Sequence, residues 1–66
     1  GDESTETDTL ARQIVEILER EQQRGREKVS TRALKTELGC EASQFKAAQK
    51  LLNDRVTLDG RSLRLL

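Results

Sequence analysis

From Ser30 to Leu66 the spacing of apolar residues switches from helical to alternating, with a glycine near each boundary. Few folds accommodate that order in so short a stretch. In Thr31–Gly39, TRALKTELG, the residues Ala33, Leu34 and Leu38 fall on one helical face, and Gly39 supplies the left-handed residue that ends the helix. After a three-residue corner, Phe45, Ala48 and Leu52 recur at helical spacing, with Asn53 as the stop. The segment Val56 to Leu65 then alternates about Asp59-Gly60, a strong short-range hairpin signal. The expected order is a short helix, a turn, a second helix and a tight hairpin.

Size excludes several functions. Sixty-six residues make one domain. A core of that size supplies about 3–5 kcal/mol of net stability and leaves no room for an enclosed active site. With no Pro, Met, Trp or Tyr and one Phe, the core must be built from Leu, Ile, Val and Ala around Phe45. One cysteine and no histidine allow no intrachain disulfide, no metal-ligand set and no nucleophile–base pair. Cys40 is therefore expected to fill an apolar place at the corner. Gly25 and Gly39 stand in no phosphate-loop or dinucleotide context. No catalytic residue, cofactor, metal or small-molecule ligand is expected, and the chain does not read as an enzyme. No apolar run approaches the roughly 20 residues of a membrane span, and no signal-peptide pattern precedes the first helix. The expectation is a soluble, intracellular protein without a membrane partner, in a reducing cytoplasmic or nuclear setting.

Formal net charge is zero, but it is unevenly placed. Residues 1–8, GDESTETD, carry Asp2, Glu3, Glu6 and Asp8 and no base, so Thr9 onward holds twelve bases against eight acids, a net +4. That excess is modest for a domain that binds polyanions. The acidic opening lacks large apolar residues and is expected to be a disordered linker to a longer protein, with residues 9–66 forming the folded domain. Phosphorylation of this tail, or screening of a basic face by it, is the functional alternative.

A first helix is expected over about Thr9 to Gln23, capped by Asp8 or Thr9. Leu10, Ile14, Ile17 and Leu18 form its buried stripe, widened by Ala11 and Val15. Arg12 with Glu16, and Glu16 with Arg20, are neighbours that can pair on the wet side. The stretch Gln22 to Lys28 loses periodicity at Gly25 and reads as a loop whose bases are either solvated or near phosphate. Lys28-Val29-Ser30 suits a short strand pairing with the hairpin, with Val29 in the core and Ser30 or Thr31 capping the next helix.

Burying Phe45, Ala48 and Leu52 turns Ala42, Ser43, Gln44, Lys46, Ala47 and Lys50 outward, a row of small, polar and basic residues. Such a row suits a nucleic-acid groove, with Gln44 suited to adenine, Lys46 and Lys50 to guanine or phosphate, and Ala47 to a thymine methyl. The competing reading is an ordinary solvated face, and Glu41 at the start of the helix opposes phosphate. In the hairpin, a turn centred on Asp59-Gly60 pairs Thr57 with Ser62, Val56 with Leu63 and Arg55 with Arg64. Val56, Leu58, Leu63 and Leu65 then share the core face. Arg55 and Arg64 would be like charges across the ladder, favourable only around an anion, or else a charged edge that blocks aggregation.

On Ala11-Arg12-Gln13, Arg32-Ala33 followed by Leu38-Gly39, and the closing Leu63-Arg64-Leu65-Leu66, the chain over residues 9–66 resembles winged helix-turn-helix domains. Its layout is similar to the amino-terminal domain of bacterial SOS repressors. The resemblance implies a mainly α fold with a small β-hairpin (α+β), three helices and a C-terminal wing. It also implies a groove-facing role for the third helix, with the second helix crossing the phosphate backbone. The expected DNA-binding residues are then Ser43, Gln44, Lys46, Ala47 and Lys50 in the groove, with Arg32, Lys35, Arg61 and Arg64 on phosphates. The expected partner is double-stranded DNA, within a regulator or DNA-handling machine. The alternative is a protein-interaction winged helix joined to other subunits of a replication, segregation or transcription complex.

Overall fold

The computed structural model describes the backbone of residues 2–66 and the side chains of residues 6–66. The elements are α1 (Asp2–Gln23), β1 (Lys28–Ser30), α2 (Thr31–Leu38), α3 (Ala42–Leu51), β2 (Val56–Asp59) and β3 (Ser62–Leu65). The strands form one antiparallel sheet of order β1-β3-β2. Three helices with a small three-stranded sheet in this order give the expected α+β, winged-helix-like layout.

The core closes where α1, α2 and β3 meet: Ile14, Leu34 and Leu63, one from each, are fully buried. Around them lie Ala11, Ile17, Leu18, Phe45, Ala48, Leu52 and Val56, with Val29, Leu38, Cys40 and Leu65 partly buried against the cluster. The expected stripe of α3 is therefore in place, and that of α1 is too except that Leu10 is only partly buried. On α2 the correction is Ala33, which is exposed, so Leu34 alone is buried from that helix. Leu58 also departs from expectation: it is 53% exposed although it shares a sheet face with buried Leu63.

Helix α1 starts at Asp2, not at Thr9, so neither Asp8 nor Thr9 is its N-cap. The expected disordered segment over residues 1–8 falls partly outside the described residues; what is described, from Asp2, is helical backbone. The stretch has neither proline nor glycine after Gly1, and extending an existing helix adds one hydrogen bond per residue fixed. At about 1.5 Å per residue its 22 residues span about 33 Å, which accounts for most of the 37 Å long axis of the molecule.

The surface pairs of α1 also differ from expectation. Arg20 reaches across to α2, donating to Glu37 Oε1 at 2.9 Å, with Glu21 Oε1 at 3.6 Å. The hydrogen bond to Glu37 is the first cause holding the Arg20 guanidinium above its ordinary pKa. Arg12 and Glu16 form no ion pair among the described residues. Glu21 is the one buried charged residue among those described, and its carbonyl accepts the N–H groups of Arg24 and Arg26, closing the turn after α1.

Two local devices set the corner of α2 and α3. Ser30 Oγ accepts the Ala33 N–H at 3.2 Å, capping α2 as expected. Ser30→Ala should destabilise the fold by about 1 kcal/mol, read as a lower urea midpoint with unchanged slope. Gly39 ends α2 at φ 65° and donates its N–H to the Lys35 carbonyl. A Cβ there would meet nothing within 4 Å, so only backbone strain opposes a side chain. Gly39→Ala should therefore cost about 1–2 kcal/mol in the same measurement, the cost of a left-handed alanine.

The hairpin register differs from the expected one. Val56 pairs with Leu65, Thr57 with Arg64, Leu58 with Leu63 and Asp59 with Ser62, so Gly60 and Arg61 form the two-residue loop. Gly60 has φ 66°, and among the described residues no non-glycine residue has positive φ. A glycine at the first central position matches a type II′ turn, whereas a type I′ turn on Asp59-Gly60 would need Asp59 at positive φ. Each partner moves by two residues, an even slip that keeps Val56, Leu58, Leu63 and Leu65 on one face. The same slip separates Arg55 from Arg64, so the expected arginine pair does not form.

Candidate nucleic-acid interface

Helix α3 is positioned by Phe45, Ala48 and Leu52 against the core, chiefly against α1. Its start is fixed by a reciprocal cap: the Glu41 side chain accepts the Gln44 N–H, and Gln44 Oε1 accepts the Glu41 N–H at 3.1 Å. Ser43, Gln44, Lys46, Ala47 and Lys50 are all exposed, as the helical spacing predicts. They do not form one surface.

Lys46 and Lys50 share a recess with Gln49 of α3, Asn53 of the turn that follows it and Leu58 of β2. Two ammonium groups and two amides line it, with no carboxylate among the described residues there. On the other side Ser43, Gln44 and Ala47 border Glu6 and Thr7 of α1. Gln44 is doubly disfavoured as an adenine reader, because its amide oxygen is engaged in the helix cap and a carboxylate stands beside it. Bidentate readout of adenine needs both the oxygen and the NH₂ of the amide.

The remaining expected contacts scatter. Lys35 is half-buried, with Nζ 6.0 Å from the centroid of the Phe45 ring, at the outer limit of a cation–π contact. Arg32 is exposed near the start of α2. Arg61 is also exposed, but the turn it belongs to is tied to the same helix start: its carbonyl accepts the Thr31 N–H at 2.9 Å and Thr31 Oγ1 at 3.2 Å. Arg32 and Arg61 thus flank one short tether between the hairpin turn and the start of α2. Arg64 lies in the central strand between Lys28 and Thr57, on the face opposite Leu63. Lys28 lies 3.6 Å from Asp59 Oδ2, which offsets the like charge across from Arg64. Leu58, which lines the recess with Lys46 and Lys50, shares a sheet face with Leu63, so Arg64 lies on the opposite face.

Compared with protein-family models, with curated proteins and with solved structures, the chain finds no match in any of the three. The site must be judged by its own chemistry.

Gln49, Asn53 and Leu58 complete the lysine recess and are not among the DNA-binding residues expected from sequence, where Asn53 reads only as a helix stop and Leu58 only as core. A signal exists for the first two, because residues 46, 49, 50 and 53 repeat the three- and four-residue spacing of one helix face. Leu58 can be placed only with the hairpin register known. No group of three or more metal-ligating side chains exists among the described residues. No helix among them is long and apolar enough to cross a membrane.

Proposed function

We propose that this chain is a nucleic-acid-binding module of winged-helix type that presents the lysine side of α3 to double-stranded DNA. The observation that carries this reading is the recess of Lys46, Gln49, Lys50, Asn53 and Leu58, which gathers two cations and two amides with no carboxylate among the described residues that line it. Lys46 and Lys50 are compact charges suited to phosphate or to the acceptor edge of guanine. Asn53 and Gln49 supply amides that read base edges, and Leu58 supplies an apolar surface for sugar or a thymine methyl. Arg32, and Arg61 whose carbonyl is tied to Thr31 at the start of α2, would contact a phosphate further along the duplex. The resemblance to winged helix-turn-helix domains, including the amino-terminal domain of SOS repressors, agrees with this use of α3.

A second reading has its own support. Leu51, Leu58 and Leu66 are each more than half exposed. Together with the acidic flank from α1 they suit a protein-interaction module.

Titration of a labelled short duplex by fluorescence anisotropy decides between the two. DNA binding through two to four phosphates should give a slope of log affinity against log salt of about −2 to −4. A flat salt response, or no binding at low salt, would favour the protein-interaction reading.

A further inference from the structure

A second surface lies along the other side of α3, where it meets α1. Val15 and the exposed Leu51 mark an apolar strip there, over the buried Ala11 and Leu52. The rim holds four carboxylates, Asp8, Glu16, Glu19 and Asp54, against two guanidinium groups, Arg12 and Arg55. None of these six charges is in an ion pair within the chain among the described residues. Four carboxylates and a leucine are thus left facing solvent, with a net negative rim.

The lysine recess is its counterpart in charge and in kind: Lys46 and Lys50 beside Leu58, which is itself 53% exposed. Lys46 and Leu51 are five residues apart on α3, about 140° of turn at about 100° per residue. The two surfaces therefore point in different directions and one chain cannot join its own. Zero net charge removes the overall repulsion that would keep copies apart.

We infer that the acid-rimmed groove between α1 and α3 receives the lysine recess of a second copy of this chain, head to tail. Leu58 of one copy meets Leu51 and Val15 of the next, and Lys46 and Lys50 meet the carboxylates of the rim. Because the two patches differ and point in different directions, each docking leaves one free groove and one free recess, so copies add in series, open or closed into a ring. The lysines are the same ones assigned to DNA above, so duplex and neighbour compete for them. The complementarity itself does not depend on DNA binding.

Sedimentation velocity of the full chain at rising concentration, without DNA, tests this. At low salt the average mass should climb past two chains, and about 500 mM salt should weaken association at least tenfold. Lys46→Glu/Lys50→Glu and Glu16→Lys/Asp54→Lys should each be monomeric. Mixed in equal amounts, the two should associate again, since one keeps the groove, the other keeps the lysines, and the reversed charges match each other as well. Circular dichroism melts matching the unaltered chain would show both variants folded. A monomeric unaltered chain at low salt, a dimer plateau that survives Lys46→Glu/Lys50→Glu, or a mixture that stays monomeric would each overturn the proposal. Duplex titration of the same samples reports separately on nucleic-acid binding, so either idea can fail without the other.

Discussion

Phe45→Ala is expected to leave the chain largely unfolded at about 25 °C, seen as loss of helical circular dichroism without added denaturant. Phe45 is the one aromatic residue and is 4% exposed, packed in the cluster that also holds Ile14, Leu34 and Leu63. Truncating a buried phenylalanine to alanine costs about 3–5 kcal/mol through the forfeited transfer energy and the cavity left behind. A domain of this size has about that much net stability in total. Lys35, whose ammonium lies over the ring, would be deprived of its aromatic partner at the same time. Phe45→Leu keeps most of the volume and should cost under about 1.5 kcal/mol, leaving a folded chain with a lower urea midpoint. A folded Phe45→Ala chain would mean that the core does not depend on this ring.

Lys46→Glu/Lys50→Glu is expected to produce the largest functional change. Both side chains are exposed and neither takes part in an ion pair among the described residues, so the fold should survive. Removing one lysine–phosphate interaction should make the salt slope of DNA affinity shallower by about 0.9, and removing both by about 1.8. Arg12→Glu makes the same kind of charge reversal on the α1 side of the molecule. It should leave both affinity and slope nearly unchanged, because the recess faces away from it. Equal effects from both changes would mean diffuse attraction with no docked helix.

The fold is legible because its punctuation is strong. Ser30 caps a helix, Gly39 ends it at positive φ, and the apolar spacing of Phe45, Ala48 and Leu52 needs no tertiary information. The hairpin lies where the alternation places it, but its register does not follow. Asp-Gly and Gly-Arg loops share the same glycine, and which central position it takes is decided by backbone twist rather than by composition. That choice sets Arg64 beside Lys28 and dissolves the pairing with Arg55. The extent of α1 is hidden for the opposite reason. Residues 2–8 carry no apolar stripe, so nothing in their pattern distinguishes a helix extended from its C-terminal side from unstructured chain.

The candidate site is legible as exposed residues and not as a surface. Helical spacing alone puts Ser43, Gln44, Lys46, Ala47 and Lys50 outside. What it does not supply is what stands next to each. Glu6 arrives beside Ser43 and Gln44 only because α1 continues upstream, and Leu58 arrives beside Lys46 only because β2 ends near α3. One α3 exterior therefore divides into a carboxylate-flanked side and a lysine side, a difference that matters more for a polyanion than the composition of the helix.

The most direct test is an NMR titration of isotope-labelled chain with a short duplex at about 50 mM salt, conditions that leave electrostatic contacts weakly screened. Amide shifts should concentrate on Lys46, Gln49, Lys50, Asn53 and Leu58, with smaller changes at Arg32 and Arg61 and none along Arg12 to Glu19. Shifts centred on α1, or spread evenly over every exposed base, would contradict a lysine-bearing side of α3 as the surface that meets DNA.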